Sequence, residues 1–327
     1  MPTRFKVLTQ LQDGRFHSGE ALAKALTISR ASVWKAVEAL RTQGLDVQAV
    51  SGKGYRLAQP LELLDRDAIC HYLWPEYRKQ FDIQVHHQLD STNAHLLNLA
   101  RSGAQTNTVC LAEYQTAGRG RRGRQWVSPL GANLYLSLLL RLQMSPQAIA
   151  GFSLVCGIAL VRALQELGID GVGLKWPNDL VWQGRKLAGI LLELSGEAYG
   201  ESRLIIGFGI NVCMPEQDGL SIDQPWVDLA HISPQPVSRN QLAAALLNHL
   251  SLQLTNYQQQ GMAPFVGQWM ELDSFLGERV ELLSASSSIK GVVRGIDEQG
   301  SLLLETSDGI HAYQSGEVSL RGGQARR

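Results

Sequence analysis

The chain has 327 residues, of which 44% are hydrophobic and 18% are charged. This length predicts two or three domains of ~100–200 residues each, and the apolar share excludes a disordered protein. Lys plus Arg and Asp plus Glu both number 30, which argues against a wholly basic nucleic-acid coat. The charge is nevertheless uneven, because residues 1–60 contain nine basic and four acidic residues. We call residues 1–60 the head. A basic head followed by a more acidic remainder predicts two separate functions.

The four cysteines, Cys70, Cys110, Cys156 and Cys213, are far apart and form no Cys-x-x-Cys pair. Their spacing excludes a disulfide framework and a zinc ribbon and fits a reducing compartment. The first residues lack the apolar core of a signal peptide. The longest uncharged apolar stretch, 148–161, is shorter than the ~20 residues of a bilayer span. We therefore expect a soluble, cytoplasmic protein that does not enter a membrane.

The first predicted elements are three short helices and a hairpin. Helical spacing puts Phe5, Leu8 and Leu11 on one face. Ser18 and Ser29 are suited to cap the next two helices. Their expected apolar positions are Leu22, Ala25 and Leu26 in the second helix and Val33, Trp34, Val37 and Leu40 in the third, which ends at Gly44. Two short strands then flank the turn at 52–54.

Two helices joined by a tight turn and followed by a hairpin are typical of a winged helix-turn-helix. The second of the two helices would meet DNA, and the hairpin tip would contact phosphate, where Lys and Arg supply the salt-dependent affinity. The candidate DNA contacts are Ser29, Arg30, Ser32, Lys35 and Lys53. The alternative is a small helical protein-interaction domain whose basic residues only solvate its surface. Residues 58–66 are expected to form a linker.

The most informative segment is the Gly-Arg loop, residues 118–124, which contains the pattern G-x-G-x-x-G. A dinucleotide-binding fingerprint opens a helix after a strand, whereas this loop lies between predicted strands at 108–113 and 133–140, so dinucleotide binding is rejected. The loop arginines still suit phosphate or carboxylate oxygens, and such a loop could become ordered over an anion. These arginines are Arg119, Arg121, Arg122 and Arg124. An exposed nucleic-acid patch is the alternative.

Two further segments carry polar residues at positions where predicted elements meet. Ser91, Thr92 and Asn93 lie at a strand-to-helix junction, where they can cap the helix and also hydrogen-bond a neutral polar ligand. For these three residues alone, capping is the commoner explanation. The proline corner at 175–179 offers Lys175, Asn178 and Asp179 after a buried helix predicted over 151–167.

A near-continuous apolar strand predicted over 186–194 opens with Lys186. A lysine in this position is commonly a snorkelling surface residue. Two lysines and an aspartate near one corner could instead neutralise anions and hold a metal ion. A further buried strand is predicted over 205–212, with Gly207 and Gly209 clearing space for a ligand.

These segments closely resemble the bifunctional biotin–protein ligases that also repress the biotin operon, the BirA type. The resemblance covers essentially the whole chain and is carried above all by Asp90–Asn93, Glu113–Trp126, Gly131–Ser137, Lys175–Leu180, Arg185–Leu194 and Gly207–Val212. It implies an α+β multidomain chain with three parts. These are a winged helix-turn-helix DNA-binding domain (1–60), a central α/β biotin/ATP-binding domain of the class II synthetase/biotin–lipoate ligase type (67–271) and a C-terminal SH3-like small β-barrel (272–324). The short alternating strands predicted after Glu278 agree with a small barrel.

The resemblance implies a two-step reaction of a biotin–[acetyl-CoA-carboxylase] ligase. Biotin and ATP, with Mg²⁺, would form biotinoyl-5'-AMP and pyrophosphate. A lysine of the biotin carboxyl carrier protein of acetyl-CoA carboxylase would then accept the biotinyl group. The adenylate would also act as corepressor by promoting a homodimer that binds operator DNA.

The resemblance also implies roles for single residues. Lys186, Arg121 and Arg119 would be catalytic. The biotin contacts would be Ser91, Thr92, Asn93, Gln115, Arg119, Gly120, Arg121 and Lys186. The nucleotide contacts would be Arg122, Trp126, Lys175, Asn178, Asn211, Trp226 and Arg321. Asp179 would be the carboxylate associated with Mg²⁺. The chain departs from the family at Tyr313 and Ser315, where tryptophan and glycine are usual.

Two other functions remain open at this point. A lipoate–protein ligase would share the fold, although the spacing of the Gly-Arg loop favours biotin. A ligand-sensing transcription repressor that has lost catalysis is the other alternative, although the intact Lys186 and the loop arginines argue against it.

Overall fold

The computed structural model describes residues 1–142, 146–195, 202–283, 288–314 and 319–322. The head has its elements in the predicted order: α1 (Thr3–Leu11), α2 (Gly19–Leu26), α3 (Arg30–Thr42), β1 (Val47–Val50) and β2 (Gly54–Leu57). The two strands pair antiparallel. The Ser18 and Ser29 hydroxyls accept hydrogen bonds from the backbone N–H of Ala21 and Ser32, so both predicted N-caps are confirmed.

Two apolar residues of the head are more exposed than the sequence predicts. Ala25 is exposed although its neighbours Leu22 and Leu26 are buried and half-buried. Trp34 is 54% exposed, because it follows Val33 by 100° around α3 and so lies beside the buried stripe rather than in it. Both positions were wrongly expected on the packed faces.

The central part contains seven strands and seven helices among the residues that the structure describes. The strands are β3 (Asp82–His86), β4 (Thr108–Ala112), β5 (Leu134–Leu142), β6 (Gly173–Lys175), β7 (Asp179–Trp182), β8 (Arg185–Ser195) and β9 (Ser202–Ile210). They form one sheet in the order β3-β4-β5-β9-β8-β7-β6. The β3–β4 pair is parallel and all other neighbours are antiparallel.

Helices cover both faces of this sheet. They are α4 (Arg66–Tyr72), α5 (Thr92–Arg101), α6 (Pro146–Glu166), α7 (Glu216–Gly219), α8 (Leu229–Ile232), α9 (Arg239–Gln260) and α10 (Ala263–Leu272). On β5, Leu138 packs into the core that contains α6 and α9, whereas its neighbour Leu139 packs with Leu96 and Ala100 of α5. Burial on both sides explains why the strand sequences are continuously apolar. Within the described ranges, no helix combines the length and apolarity needed to cross a membrane.

Two predicted boundaries shift for local reasons. The helix expected from Gly151 begins at Pro146, and proline is favourable in the first turn of a helix. The strand expected to reach Val212 ends at Ile210, and the Val212 N–H donates to the Asn133 side chain instead.

The C-terminal part is a five-stranded antiparallel sheet in the order β13-β12-β11-β10-β14. Its strands are β10 (Arg279–Leu283), β11 (Ser288–Ile296), β12 (Leu302–Thr306), β13 (Gly309–Tyr313) and β14 (Ser319–Gly322). Val280, Leu282 and Val293 join the same core as the central sheet. Tyr313 packs against that core, and Ser315 lies outside the described residues.

The linker is bonded to the central domain rather than lying free on its surface. The Glu62 carboxylate accepts hydrogen bonds from Ser238 Oγ (2.6 Å) and Arg239 N (2.7 Å). The Arg239 guanidinium donates to the Glu62 carbonyl and, at 2.8 Å, to the Glu113 carboxylate. Glu113 also accepts from Leu64 N. The Arg239 and Glu113 side chains are only 4% and 2% exposed, so this is a buried ion pair.

We predict that Arg239→Met lowers the free energy of unfolding by about 3–5 kcal/mol, because it leaves the Glu113 carboxylate buried and unpaired. Urea unfolding of the full chain measures this change. The double variant Glu113→Gln/Arg239→Met should recover part of the loss.

The matched control is Arg294→Met, which removes an Arg–Glu pair with Glu305 that is 48% and 41% exposed. It should change the free energy of unfolding by less than about 1 kcal/mol. Equal losses in the two single variants would contradict the role assigned to the buried pair.

Candidate active site

A cavity of about 1010 Å³ lies between the Gly-Arg loop and strands β8 and β9. We call it the ligand cavity. Most of the predicted site residues line it, although they come from distant parts of the sequence. They are Ser91, Thr92, Asn93, Gln115, Arg119, Gly120, Arg121, Arg122, Trp126, Lys175, Asn178, Asp179 and Lys186.

Hydrogen bonds fix the polar residues at the start of α5. Ser91 caps the helix by accepting from Ala94 N (3.5 Å). The Gln115 side-chain carbonyl accepts from Thr92 N (2.9 Å) and Thr92 Oγ1 (3.2 Å). Asn93 Nδ2 donates to the Glu193 carboxylate (2.9 Å). The segment that caps α5 also forms part of the cavity wall, so helix capping and hydrogen bonding to a ligand are compatible here.

Two serines that sequence analysis missed complete this network. Ser137 Oγ lies 2.7 Å from Thr92 Oγ1 and 2.6 Å from Asn93 Oδ1. Ser128 Oγ accepts from the Gln115 amide at 2.9 Å. Both serines are buried. No local pattern marks them, because their contacts with Gln115, Thr92 and Asn93 join residues from different elements.

Among the charged residues of the cavity wall, cations outnumber anions. Seven basic residues but only three acidic ones line it. The basic set is Arg119, Arg121, Arg122, Arg124, Lys175, Lys186 and Arg279, and the acidic set is Asp179, Asp223 and Glu278. Such an excess in a concave, partly buried site favours anions.

The three predicted catalytic residues are each held by a named partner. Lys186 Nζ lies 2.8 Å from Asp179 Oδ1 and 5.5 Å from the centre of the Trp126 ring. Arg119 Nη1 lies 3.0 Å from Glu193 Oε1. Arg121 Nη1 donates to Asn178 Oδ1 at 3.0 Å. These contacts hold the charged groups at defined points before any ligand contact is made.

Burial lowers the pKa of Arg121, and Arg122 and Arg124 lower it further, whereas Asp179 raises it. A guanidinium nevertheless keeps its charge at any physiological pH. A lowered pKa means that the charged form of the Arg121 side chain is less favourable at this position than in water. An anion bound beside it would relieve that cost.

The Gly-Arg loop has a tight, defined backbone. Arg122 and Gly123 both have positive φ (57° and 71°), and the Gly120 N–H donates to the Arg124 carbonyl at 2.7 Å. At Gly118 a Cβ would lie 2.3 Å from the Trp126 carbonyl oxygen, so only glycine fits that position. Ordering of this loop by an anion stays a prediction.

The glycines of β9 make room for side chains of the protein itself. A Cβ on Gly207 would lie 2.1 Å from Asn93 Oδ1, and a Cβ on Gly209 would lie 2.4 Å from Trp126 Cε2. The space that we expected them to clear for a ligand is thus occupied by Asn93 and Trp126, which in turn line the cavity.

Among the residues that the structure describes, two that were predicted to contact nucleotide, Trp226 and Asn211, are not part of the cavity wall. The Trp226 indole N–H donates to the Gly219 carbonyl (3.1 Å), so its ring packs on α7, and the neighbouring residues 223–225 line the cavity instead. Asn211 is buried and donates to the Val227 carbonyl (3.1 Å). The Arg321 backbone pairs with Glu281, and its side chain lies outside the described residues.

The candidate DNA contacts lie at the N-cap and in the first part of α3 and in the turn between β1 and β2. Arg30, Lys35 and Lys53 are exposed. Ser29 and Ser32 hydrogen-bond each other (2.9 Å) at the start of α3. The exposed Trp34 lies on the same helix and was not among the candidates.

Comparison with known proteins matches all three parts of the chain. Residues 85–211 match the biotin/lipoate A/B protein ligase family, residues 3–56 match an HTH domain, and residues 275–321 match the biotin protein ligase C-terminal domain. The chain is 43% identical to the bifunctional ligase/repressor BirA of Escherichia coli (strain K12) over 320 residues, which cover 98% of this chain and 97% of that protein.

More distant relatives and solved structures agree. The chain is 33% identical over 309 residues to the bifunctional ligase/repressor BirA of Bacillus subtilis, covering 93% of this chain and 94% of that protein. The structure of the biotin protein ligase from Aquifex aeolicus in complex with biotin and ATP superposes with a TM-score of 0.64 at 32% identity. That match covers 74% of this chain and 99% of the other.

We predict that Gly209→Ala destabilises the protein by about 1–3 kcal/mol, because the added methyl group overpacks a rigid strand against Trp126. Thermal unfolding measures the change. The control is Gly267→Ala on α10, where an added Cβ would meet nothing within 4 Å. That variant should be neutral or slightly more stable. A stable Gly209→Ala protein would show that Trp126 is not held by this contact.

Proposed function

This chain belongs to the biotin/lipoate A/B protein ligase family, as one of its bifunctional BirA-type ligase/repressors. We propose that the residues of the ligand cavity carry out biotin ligation and that the head binds operator DNA. The chain is an ATP-dependent biotin–[acetyl-CoA-carboxylase] ligase that carries a DNA-binding repressor domain. The full-length similarity to ligase/repressors favours biotin over lipoate and catalysis over sensing alone.

The excess of cations in the ligand cavity is the observation that carries the proposed mechanism. In the first step the carboxylate oxygen of biotin attacks the α-phosphorus of ATP, and pyrophosphate leaves with the bond electrons. Both reactants are anions, so bringing them together requires charge neutralisation and alignment. Seven basic residues against three acidic ones supply that neutralisation.

Lys186 is the proposed principal catalytic residue. Its side chain is 16% exposed and its ammonium group is paired with Asp179, so it can donate to a carboxylate or phosphate oxygen with little reorganisation. Arg121 and Arg119 would bind the same anions from the Gly-Arg loop. Preorganised donors of this kind stabilise the charge that develops during transfer.

The two substrates would occupy different walls of the cavity. The start of α5 and Gln115 offer neutral hydrogen-bonding groups, which suit the ureido ring of biotin. The corner at 175–179, together with Arg122 and Trp126, offers cations and an aromatic ring, which suit a nucleotide. The Trp126 indole N–H has no hydrogen-bond partner among the described residues, so it can donate to a ligand. Ser274, Phe275, Glu278 and Arg279 also line the cavity and would extend the nucleotide wall.

In the second step the amine of a carrier-protein lysine attacks the acyl carbon of biotinoyl-5'-AMP, and AMP leaves. The carrier is proposed to be the biotin carboxyl carrier protein of acetyl-CoA carboxylase. The loop over the cavity would exclude water, which would otherwise hydrolyse the mixed anhydride.

The residues present fit a Mg²⁺ ion that arrives with the nucleotide. Mg²⁺ typically binds one or two protein carboxylates together with substrate phosphates. Asp179 supplies one carboxylate at the cavity wall, already paired with Lys186, and Asn178 lies beside it. When bound, the ion would neutralise phosphate charge.

The segment 113–115 contacts three parts of the protein, and these contacts support a role in repression. Glu113 pairs with Arg239 and accepts from the linker, Tyr114 packs against the hydrophobic core of the head, and Gln115 lines the ligand cavity. Occupancy of the cavity can therefore influence the seating of the head through three consecutive residues. We propose that biotinoyl-5'-AMP is the corepressor and that the adenylate-bound homodimer binds operator DNA.

Lys186→Ala should lower the rate of adenylate formation by a factor of about 10²–10³, the usual cost of removing one charge-stabilising donor. The assay supplies biotin and labelled ATP and measures labelled biotinoyl-5'-AMP. Lys290→Ala, which removes an exposed lysine of β11, is the control and should keep the normal rate. An unchanged rate in Lys186→Ala would refute its catalytic role.

Arg30→Ala and Lys35→Ala should weaken operator binding and lower its salt dependence by about one counterion per lost phosphate contact. A mobility-shift assay with the chain's own biotin-operon promoter, with and without biotin and ATP, measures both effects. Lys79→Ala, an exposed position of the central domain, should bind normally. Ligation should be unaffected in all three variants. Equal operator binding with and without biotin and ATP would contradict the proposal that biotinoyl-5'-AMP is the corepressor.

A further inference from the structure

His86, His95 and Cys110 form a cluster of metal-ligating side chains that is separate from the ligand cavity. Each residue offers one ligand atom, and these atoms all lie within 4.8 Å of one another. We propose that this cluster binds a thiophilic divalent transition-metal ion, with Zn²⁺ as the reference ion. We call it the His-His-Cys site. The proposal does not depend on the function of the ligand cavity.

The sheet and one helix bring these three residues together. β3 and β4 run parallel, with Gln84 opposite Cys110 and His86 opposite Ala112. Side chains alternate along a strand, so His86 and Cys110 face the same side of the sheet. That side is covered by α5, since Cys110 packs with Leu96. His95 precedes Leu96 on that helix.

The three ligand atoms are close enough to converge on one ion. In a tetrahedral ion with bonds of about 2.0–2.3 Å, neighbouring ligand atoms lie about 3.3–3.7 Å apart. The present separations of up to 4.8 Å would therefore shorten by about 1 Å through side-chain rotation on binding. The His86 and His95 rings already touch edge to face, with centroids 4.6 Å apart and an interplanar angle of 63°.

His86 carries an unsatisfied polar atom that a metal ion would explain. Its Nε2 is shielded from solvent and has no hydrogen-bond partner among the residues that the structure describes. Buried polar atoms normally have a partner. An imidazole nitrogen without a hydrogen-bond partner has its lone pair available to bind a metal ion.

The donor set determines which ions fit. Two imidazole nitrogens and one sulfur select Zn²⁺ and other thiophilic ions over Mg²⁺ or Ca²⁺, which prefer oxygen ligands. Cys110 is fully buried, and burial raises the pKa of its thiol. Binding must therefore displace one proton from the thiol to solvent as the metal–sulfur bond forms. Three protein ligands leave a fourth position of a tetrahedral ion for water.

The direct test uses tag-free full-length protein, a non-thiol reductant and Co²⁺ as the probe, followed by Zn²⁺ displacement. We expect one Co²⁺ per chain, with a sulfur-to-cobalt charge-transfer band that disappears when Zn²⁺ is added. Affinity should rise by about tenfold per pH unit near neutrality, because one proton is released per ion. Absence of the band at saturating Co²⁺ would overturn the proposal.

Matched variants identify the ligands. Cys110→Ser should remove the band, whereas Cys213→Ser, at an exposed thiol, should leave it intact. His86→Asn and His95→Asn should each lower Co²⁺ affinity at least tenfold, and His71→Asn, at an exposed histidine, should not. Because Cys110 lies in the core, the two histidine variants carry the test on their own if Cys110→Ser fails to fold. A band that survives both histidine variants or depends on Cys213 would place the metal elsewhere and overturn the proposal.

Discussion

Mutual repulsion among the cations of the ligand cavity is the constraint on which the rest of the site depends. Seven basic side chains face one concave space. Three of them have partners there: Lys186 is paired with Asp179, Arg119 with Glu193, and Arg121 with Asn178. Lys186, Asp179 and Glu193 lie on β7 and β8 of a sheet packed on both faces, and the Gly-Arg loop brings Arg119 and Arg121 to this sheet, so these charges are positioned before anions arrive. Preorganised charge of this kind is what joining a carboxylate to a phosphate requires.

The same architecture joins the linker to the segment that leads to the cavity wall. The linker is hydrogen-bonded to the start of α9 through Glu62 and to the end of β4 through Glu113. Glu113 is followed by Tyr114, which packs against the hydrophobic cluster of the head, and then by Gln115 of the cavity wall. A buried ion pair leaves such a junction little freedom, because separating its charges in the interior is costly. The head is thereby fixed to the strand end that the ligand would contact.

Much of this fold follows from local sequence signals. The caps at Ser18 and Ser29, the hairpin of the head and the apolar strands are all encoded within a few residues, and most predicted cavity residues do line one cavity. Long-range contacts were not predictable. Ser128, Ser137 and Glu193 act through distant partners, Trp226 packs on Gly219 away from the cavity, and the His-His-Cys site joins three separate elements. Cysteine spacing finds only metal sites whose ligands are close in sequence. The domain boundaries and the individual roles of the site residues stay predictions.

The most direct test is a crystal structure of the full chain grown with biotin, ATP and Mg²⁺. We predict biotinoyl-5'-AMP in the ligand cavity, with the biotin ring against Ser91–Asn93 and Gln115. Lys186 and Arg121 should lie within hydrogen-bond distance of the oxygens around the acyl-phosphate bond, beneath the Gly-Arg loop. An adenylate bound elsewhere, or one bound in the cavity without contact to these two cations, would contradict the account.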